Sequence, residues 1–129
     1  MIYVDDMRVI AKVGRIHARW SHLIADTKTE LHDFASSIGL QRSWFQDPMV
    51  SGKPLVTQPD CRAAQNWHYD VTDAKRAQAI NRGAIEVSMR DMSRIIDERY
   101  ARLFPQQAAE LEARMAKIFT DMREGLEKR

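Results

Sequence analysis

The chain holds a single cysteine, Cys61, among 129 residues. No internal disulfide can form and no second thiol exists for a cysteine-based metal knuckle, so a reducing cytoplasm is the expected compartment. Glycine and proline are scarce, at five and four, which excludes collagen-like and low-complexity architectures. No apolar run approaches the roughly 20 residues of a membrane-spanning helix. The N-terminus starts as a strand-like segment rather than as a charged region followed by an apolar stretch, so a soluble, unexported chain is expected. Charge of one sign is not in excess either: 20 Lys and Arg against 18 Asp and Glu leave +2, with the charges interleaved. A clustered basic stripe is missing, and duplex nucleic acid is therefore not the default partner. Also lacking are H-E-x-x-H, H-x-H, a glycine-rich phosphate loop and a G-x-S-x-G elbow, which removes the best-marked zinc, nucleotide and serine chemistries.

What is present is enough to bury one core. With 44% hydrophobic and 29% charged residues, the length fits one domain, expected over residues 1–104, plus a helix over 105–129. Met1 to Val4 is rich in β-formers and is stopped by Asp5-Asp6, giving a first strand. Residues 7–19 fit either a helical turn or an irregular segment, with Gly14 arguing against a long helix. Arg19 to Ala25 is expected as a short strand, with Trp20, His22 and Ile24 on one face and Ser21 and Leu23 on the other.

Thr27-Lys28-Thr29-Glu30 is a capping box. The stripe Leu31, Phe34, Ala35 and Ile38 continues that helix until Gly39 stops it, and Leu40 to Gln46 is expected to return as a strand. Residues 47–66 hold three of the four prolines and no periodic pattern, which describes a long loop, and a lid is one use for it. A helix capped by Thr72 or Asp73 ends at Gly83, Ala84 to Val87 forms another strand, and Ser88 caps a further helix. Helices alternating with strands predict an α/β fold, with a small, at least partly parallel sheet flanked by helices. Pro105 opens the last helix. There Ala108, Leu111, Met115, Ile118, Met122 and Leu126 form a narrow, nearly heptad seam, so a homo-oligomer through this C-terminal helix is the expected assembly.

Polar aromatic residues are distributed unevenly. All three tryptophans fall in short clusters before residue 71, at Trp20-Ser21-His22, Trp44-Phe45-Gln46 and Trp67-His68-Tyr69-Asp70, joined by Tyr3-Val4-Asp5-Asp6. A site is therefore expected in the first half and a scaffold or assembly element in the second.

Several strings are familiar: Y-V-D-D at 3–6, G-R at 14–15, R-W-S-H-L-I-A-D at 19–26, E-L-H-D-F-A at 30–35, G-L-Q-R-S-W-F-Q at 39–46, H-Y-D-V-T at 68–72 and G-A at 83–84. In this order they resemble a family of small bacterial and phage proteins catalogued as domain of unknown function 4031, over about residues 2–90. The resemblance implies a compact domain with an extension particular to this chain. It implies no activity, so the chemistry rests on the residues.

Two site readings follow, and a third without one. In the first, Trp20, Trp44, Trp67, Phe45 and Tyr69 supply flat faces and Arg19 and Arg42, with Arg15 and Arg76, supply forks for an anion. The pocket so formed would bind a small anionic, nucleotide-derived ligand, lined by Tyr3, Asp5, Asp6, Arg19, Trp20, His22, Arg42, Trp44, Gln46, His68, Tyr69 and Asp70. In the second, Asp5, Asp6, His22, His68 and Asp70 hold a divalent metal, and the protein is a hydrolase or phosphoesterase acting on a nucleotide or nucleic acid. His68-x-Asp70 on a strand would project both side chains from one face. The third reading is a non-catalytic protein-interaction module. Each of these histidines and aromatics also has an ordinary structural use, as a hydrogen-bonded half-buried imidazole or as core.

Overall fold

The structure is a computed structural model that describes residues 1–128. Its strands are β1 (Ile2–Val4), β2 (Val9–Val13), β3 (Ile16–Ala25), β4 (Phe45–Gln46), β5 (His68–Thr72) and β6 (Ile85–Glu86). Its helices are α1 (Lys28–Ser37), α2 (Asp73–Asn81), α3 (Met89–Leu103) and α4 (Pro105–Glu127). They build a mixed α/β domain around one sheet of order β4-β5-β3-β1-β6, with β2 paired to the outer half of β3. The sheet is partly parallel, as expected, but only through β1 and β6; every other pair is antiparallel.

Local chemistry accounts for the helix ends. The Thr27 hydroxyl accepts from the Glu30 amide, Thr72 from Lys75 and Ser88 from Asp91, each satisfying an amide that the helix leaves without a partner. Gly39 and Gly83 follow α1 and α2 at φ +80° and +99°, the left-handed region that a Cβ disfavours.

Three expectations are corrected. Met7 and Arg8 are irregular, but residues 9–19 are neither helical nor irregular: Gly14, at φ +61°, and Arg15 turn β2 into β3, and Val13 faces Ile16 across the turn. The strand expected from Arg19 is the inner part of a ten-residue one. Leu40 to Gln46 is a strand only at Phe45–Gln46, because residues 42–44 form a 3-10 turn.

Alternation sorts the sheet into two faces. One carries Ile2, Val4, Leu23, Ala25, Tyr69 and Val71, covered by α1 and α2 to make the main core. The other carries Ile24, packed with Met92 and Ile96 of α3. Helix α3 covers only part of that second face, leaving Trp20, His22, His68 and Asp70 partly accessible. Helix α4 buries none of its residues.

Candidate functional site

The register places the site. His22 of β3 lies directly opposite Asp70 of β5, and His68 stands two residues before Asp70 on the same face. One donor atom from each of His22, His68 and Asp70 can be chosen so that all lie within 4.8 Å of one another, and the two imidazoles meet edge to face at 4.8 Å between centroids.

A bulge delivers the fourth member. β1 and β2 both pair with the same edge of β3, Val4 against Leu23 and Val9 against Trp20. Four residues, Asp5 to Arg8, therefore stand opposite only Ser21 and His22. The surplus is absorbed by a bend with Arg8 at φ +45°, and side chains replace the lost ladder bonds. Asp5 Oδ1 accepts from the amides of His22 (2.9 Å) and Met7 (3.2 Å), and the Ser21 hydroxyl accepts from the Arg8 amide at 3.1 Å. Asp5 Oδ2 then lies 2.7 Å from His22 Nδ1.

Asp5 is only 1% exposed. Burial pushes its carboxyl up, but the hydrogen bonds from the His22 ring and from the His22 and Met7 amides outweigh this and hold it below the ordinary range. The same contact raises His22, with burial opposing. Burial likewise pushes Asp70 up, and the hydrogen bond and charge of His68, with the charge of His22, bring it down.

Both imidazoles have their tautomers set from behind. His68 Nδ1 lies 3.0 Å from the Asn66 carbonyl, an acceptor only, so this nitrogen carries a proton and donates. The ionised Asp5 imposes the same choice on His22. In the neutral rings Nε2 is then the bare nitrogen. His68 Nε2 faces Asp70 Oδ1 at 3.2 Å, and two lone pairs at that distance require a proton or a cation between them. Imidazoles whose far nitrogen donates to a carboxylate or backbone carbonyl are the arrangement found behind metal-ligating histidines.

A cavity of about 190 Å³ opens onto this cluster. Its walls include Asp5, His22, His68, Asn66 and Arg62 on one side and Met92 and Ser93 of α3 on the other. The end of the long loop is a fixed wall here. Arg62 bonds to Asp97 and to the Ser93 hydroxyl, and the Tyr100 hydroxyl donates to the Asp60 carbonyl at 2.9 Å.

The other expected site residues scatter. Asp6 caps the start of α3 by accepting from the Met89 amide, and the Tyr3 hydroxyl donates to Asp26. Neither belongs to the cluster. Arg19 pairs with Ile10 on the reverse face of the hairpin. Arg42 and Trp44 sit exposed on the 3-10 turn, and Gln46 lies beside His68 across the β4–β5 ladder. Tyr69 points into the main core, its hydroxyl 2.8 Å from His32 Nδ1. Trp67 is buried with the Arg99 guanidinium 4.0 Å over its ring. The three tryptophans thus stand on different surfaces: Trp44 on the exposed turn, Trp67 in the main core and Trp20 beside His22 and Asp70. Neither Arg19 nor Arg42 pairs with Asp5, Asp6 or Asp70.

Fold and site together define a small mixed α/β domain with a two-histidine, one-carboxylate cluster on the open face of its sheet. The chain belongs to the family described as protein of unknown function (DUF4031), whose model matches residues 2–99 and so includes the whole cluster but not α4. No curated protein and no solved structure matches the chain.

Proposed function

We propose that His22, His68 and Asp70 hold a divalent transition-metal ion and that the protein is a metal-dependent hydrolase or phosphoesterase. The observation that supports this reading is that one donor atom from each of the three residues can converge while both Nδ1 atoms lie against acceptors, which in the neutral rings leaves Nε2 as the nitrogen available to a cation. A zinc-type ion with three protein ligands keeps a position for water and lowers its pKa to about 7. The chain's own residues would do the rest. Asp5 and the Asn66 carbonyl hold the rings in orientation, and the cavity beside Arg62 and Asn66 receives the substrate. Nucleotides and nucleic acid remain the first substrates to try. The alternative, an aromatic pocket for a nucleotide-derived ligand, loses support because Trp44 and Trp67 lie away from Trp20.

The test begins with elemental analysis of protein purified without chelator, followed by zinc, manganese and cobalt titration of the stripped protein. One ion per chain is expected, lost in His22→Ala and His68→Ala, with chelator-sensitive hydrolysis of bis-p-nitrophenyl phosphate or p-nitrophenyl acetate. Metal uptake that is absent, or equal in wild type and the double variant, overturns the proposal.

Cytoplasmic residence and assembly through α4 are part of the same proposal. Among the described residues no helix is long and apolar enough to cross a membrane. Met115, Ile118, Met122 and Leu126 are exposed on α4. Arg114 and Asp121 stand one heptad apart, so an antiparallel second copy would bring each opposite charge against the other.

A further inference from the structure

The cluster has a second side. His22 and Asp70 also close one end of a cleft of about 150 Å³ beneath the β2–β3 hairpin, whose other walls are Met7, Val9, Ala11, Val13, Trp20 and Ser21. Register explains why these meet. Val9 pairs with Trp20 and Ala11 with Ala18, so the inward residues of the hairpin share the face of β3 that carries His22. The polar edge of Trp20 is used up, since Nε1 donates to the Ala11 carbonyl at 3.0 Å. The Ser21 hydroxyl is likewise occupied by the Arg8 amide. What faces the cleft is apolar except at the end formed by His22 and Asp70. Val9 and Val13 remain 41% and 44% exposed, so much of this apolar surface is open to solvent.

We infer that this cleft is the specificity subsite of the proposed hydrolase, taking an apolar group about one ring in size attached to the reacting centre. The inference rests on the metal-centre reading above. Volume sets the size, because about 150 Å³ is the volume of an apolar cavity that accepts benzene. Position sets the attachment, because two of the three ligands border the cleft while His22 and His68 border the larger, more polar cavity. A substrate spanning the cluster therefore has an apolar end under the hairpin and a polar end beside Arg62 and Asn66. The substrate class is an ester, amide or phosphoester with an aromatic or branched aliphatic substituent. In its hydrolysis the bond from the reacting centre to the leaving oxygen or nitrogen breaks, the hydroxyl of water joins the centre and the remaining proton goes to the leaving group.

Hydroxamates test this without knowledge of the natural substrate, because their two oxygens chelate zinc and the substituent can be varied. Calorimetric titration of zinc-loaded protein should show benzohydroxamate binding about tenfold or more tightly than acetohydroxamate, the effect of burying a ring. Ala11→Phe fills the cleft, and Val9→Asp places a carboxylate in it from a half-exposed position that the core does not need. Both should bring the ratio near one and leave acetohydroxamate affinity unchanged, which also controls for the intrinsic zinc affinities of the two ligands. Equal affinities in wild type, or a preference that survives in both variants, overturns the subsite while the metal centre stands. Failure of zinc or of both hydroxamates to bind overturns the metal centre, and the subsite falls with it.

Discussion

Asp5→Asn changes one atom of the carboxylate that orients His22, and the structure says which bonds survive. Oδ1 accepts both backbone amides, so an asparagine keeps them by retaining its carbonyl oxygen there. The new amide nitrogen then takes the place of Oδ2, 2.7 Å from His22 Nδ1, where two donors would collide. The ring resolves the conflict by moving its proton to Nε2, which aims an N–H at the site where a cation would sit. Loss of a partner behind a ligating histidine typically lowers metal affinity about 10- to 100-fold, or about 1.4–2.7 kcal/mol. The metal-free protein should lose about 1.5–3 kcal/mol, the worth of a hydrogen bond to a buried charged group. Competition against a chromophoric chelator measures the first quantity, and urea unfolding in EDTA the second. Long-range nitrogen–proton NMR of the neutral imidazole reads the tautomer, with Nδ1–H expected in wild type and Nε2–H in the variant. Metal affinity within twofold of wild type, or an Nδ1–H tautomer that persists in Asp5→Asn, would refute the reasoning.

Two further outcomes are expected away from the cluster. Burial, followed by the charges of Arg42 and Lys28, holds His32 below its ordinary pKa; its contribution to stability is therefore intact above about pH 6.5 and declines as pH falls toward the folded-state value. Urea midpoints of stripped protein should drop between about pH 7.5 and 5, with a smaller drop in His32→Gln, and an equal drop would remove His32 as the cause. In α4, Met115→Lys with Ile118→Lys would bury two unpaired ammonium groups between copies and should give a folded monomer. Light scattering that reports a monomer for wild type would exclude assembly through this helix.

The parts of the fold legible in the sequence are those set by near neighbours. Thr27, Thr72 and Ser88 cap their helices through residues three positions on, and Gly39, Gly83 and Pro105 mark ends by backbone restriction alone. The β2–β3 hairpin was hidden because it has no buried face. Every β2 residue except Ala11 is exposed, so no alternation marks it as a strand, and only Gly14 signals the turn. Strand direction was equally out of reach. Alternating helices and strands favour parallel pairing when each connection crosses the sheet. Here α1 carries the chain from β3 to β4, which runs in the same direction, but the long loop after β4 then returns the chain into β5, which lies between the two and runs antiparallel to both.

For the site, period two already separates the residues that matter from those that do not. Along 67–71 the apolar Trp67, Tyr69 and Val71 fall on one parity and His68 and Asp70 on the other, so one set must face the core as the second faces outward. Adjacency along the chain draws Trp67 and Tyr69 into the expected site, whereas adjacency in a strand means opposite faces. The partner of Asp70 needed the β3–β5 register, a long-range property that no local pattern encodes. Asp5 needed more, since its approach to His22 depends on a bulge whose two surplus residues are apparent only when β1 and β2 are seen against one edge of β3. Such a bulge is tolerated because Asp5 and Ser21 satisfy the amides that it frees. The carboxylate that holds the bend together is thus the one that fixes the imidazole, and a change at Asp5 acts on fold and site at once.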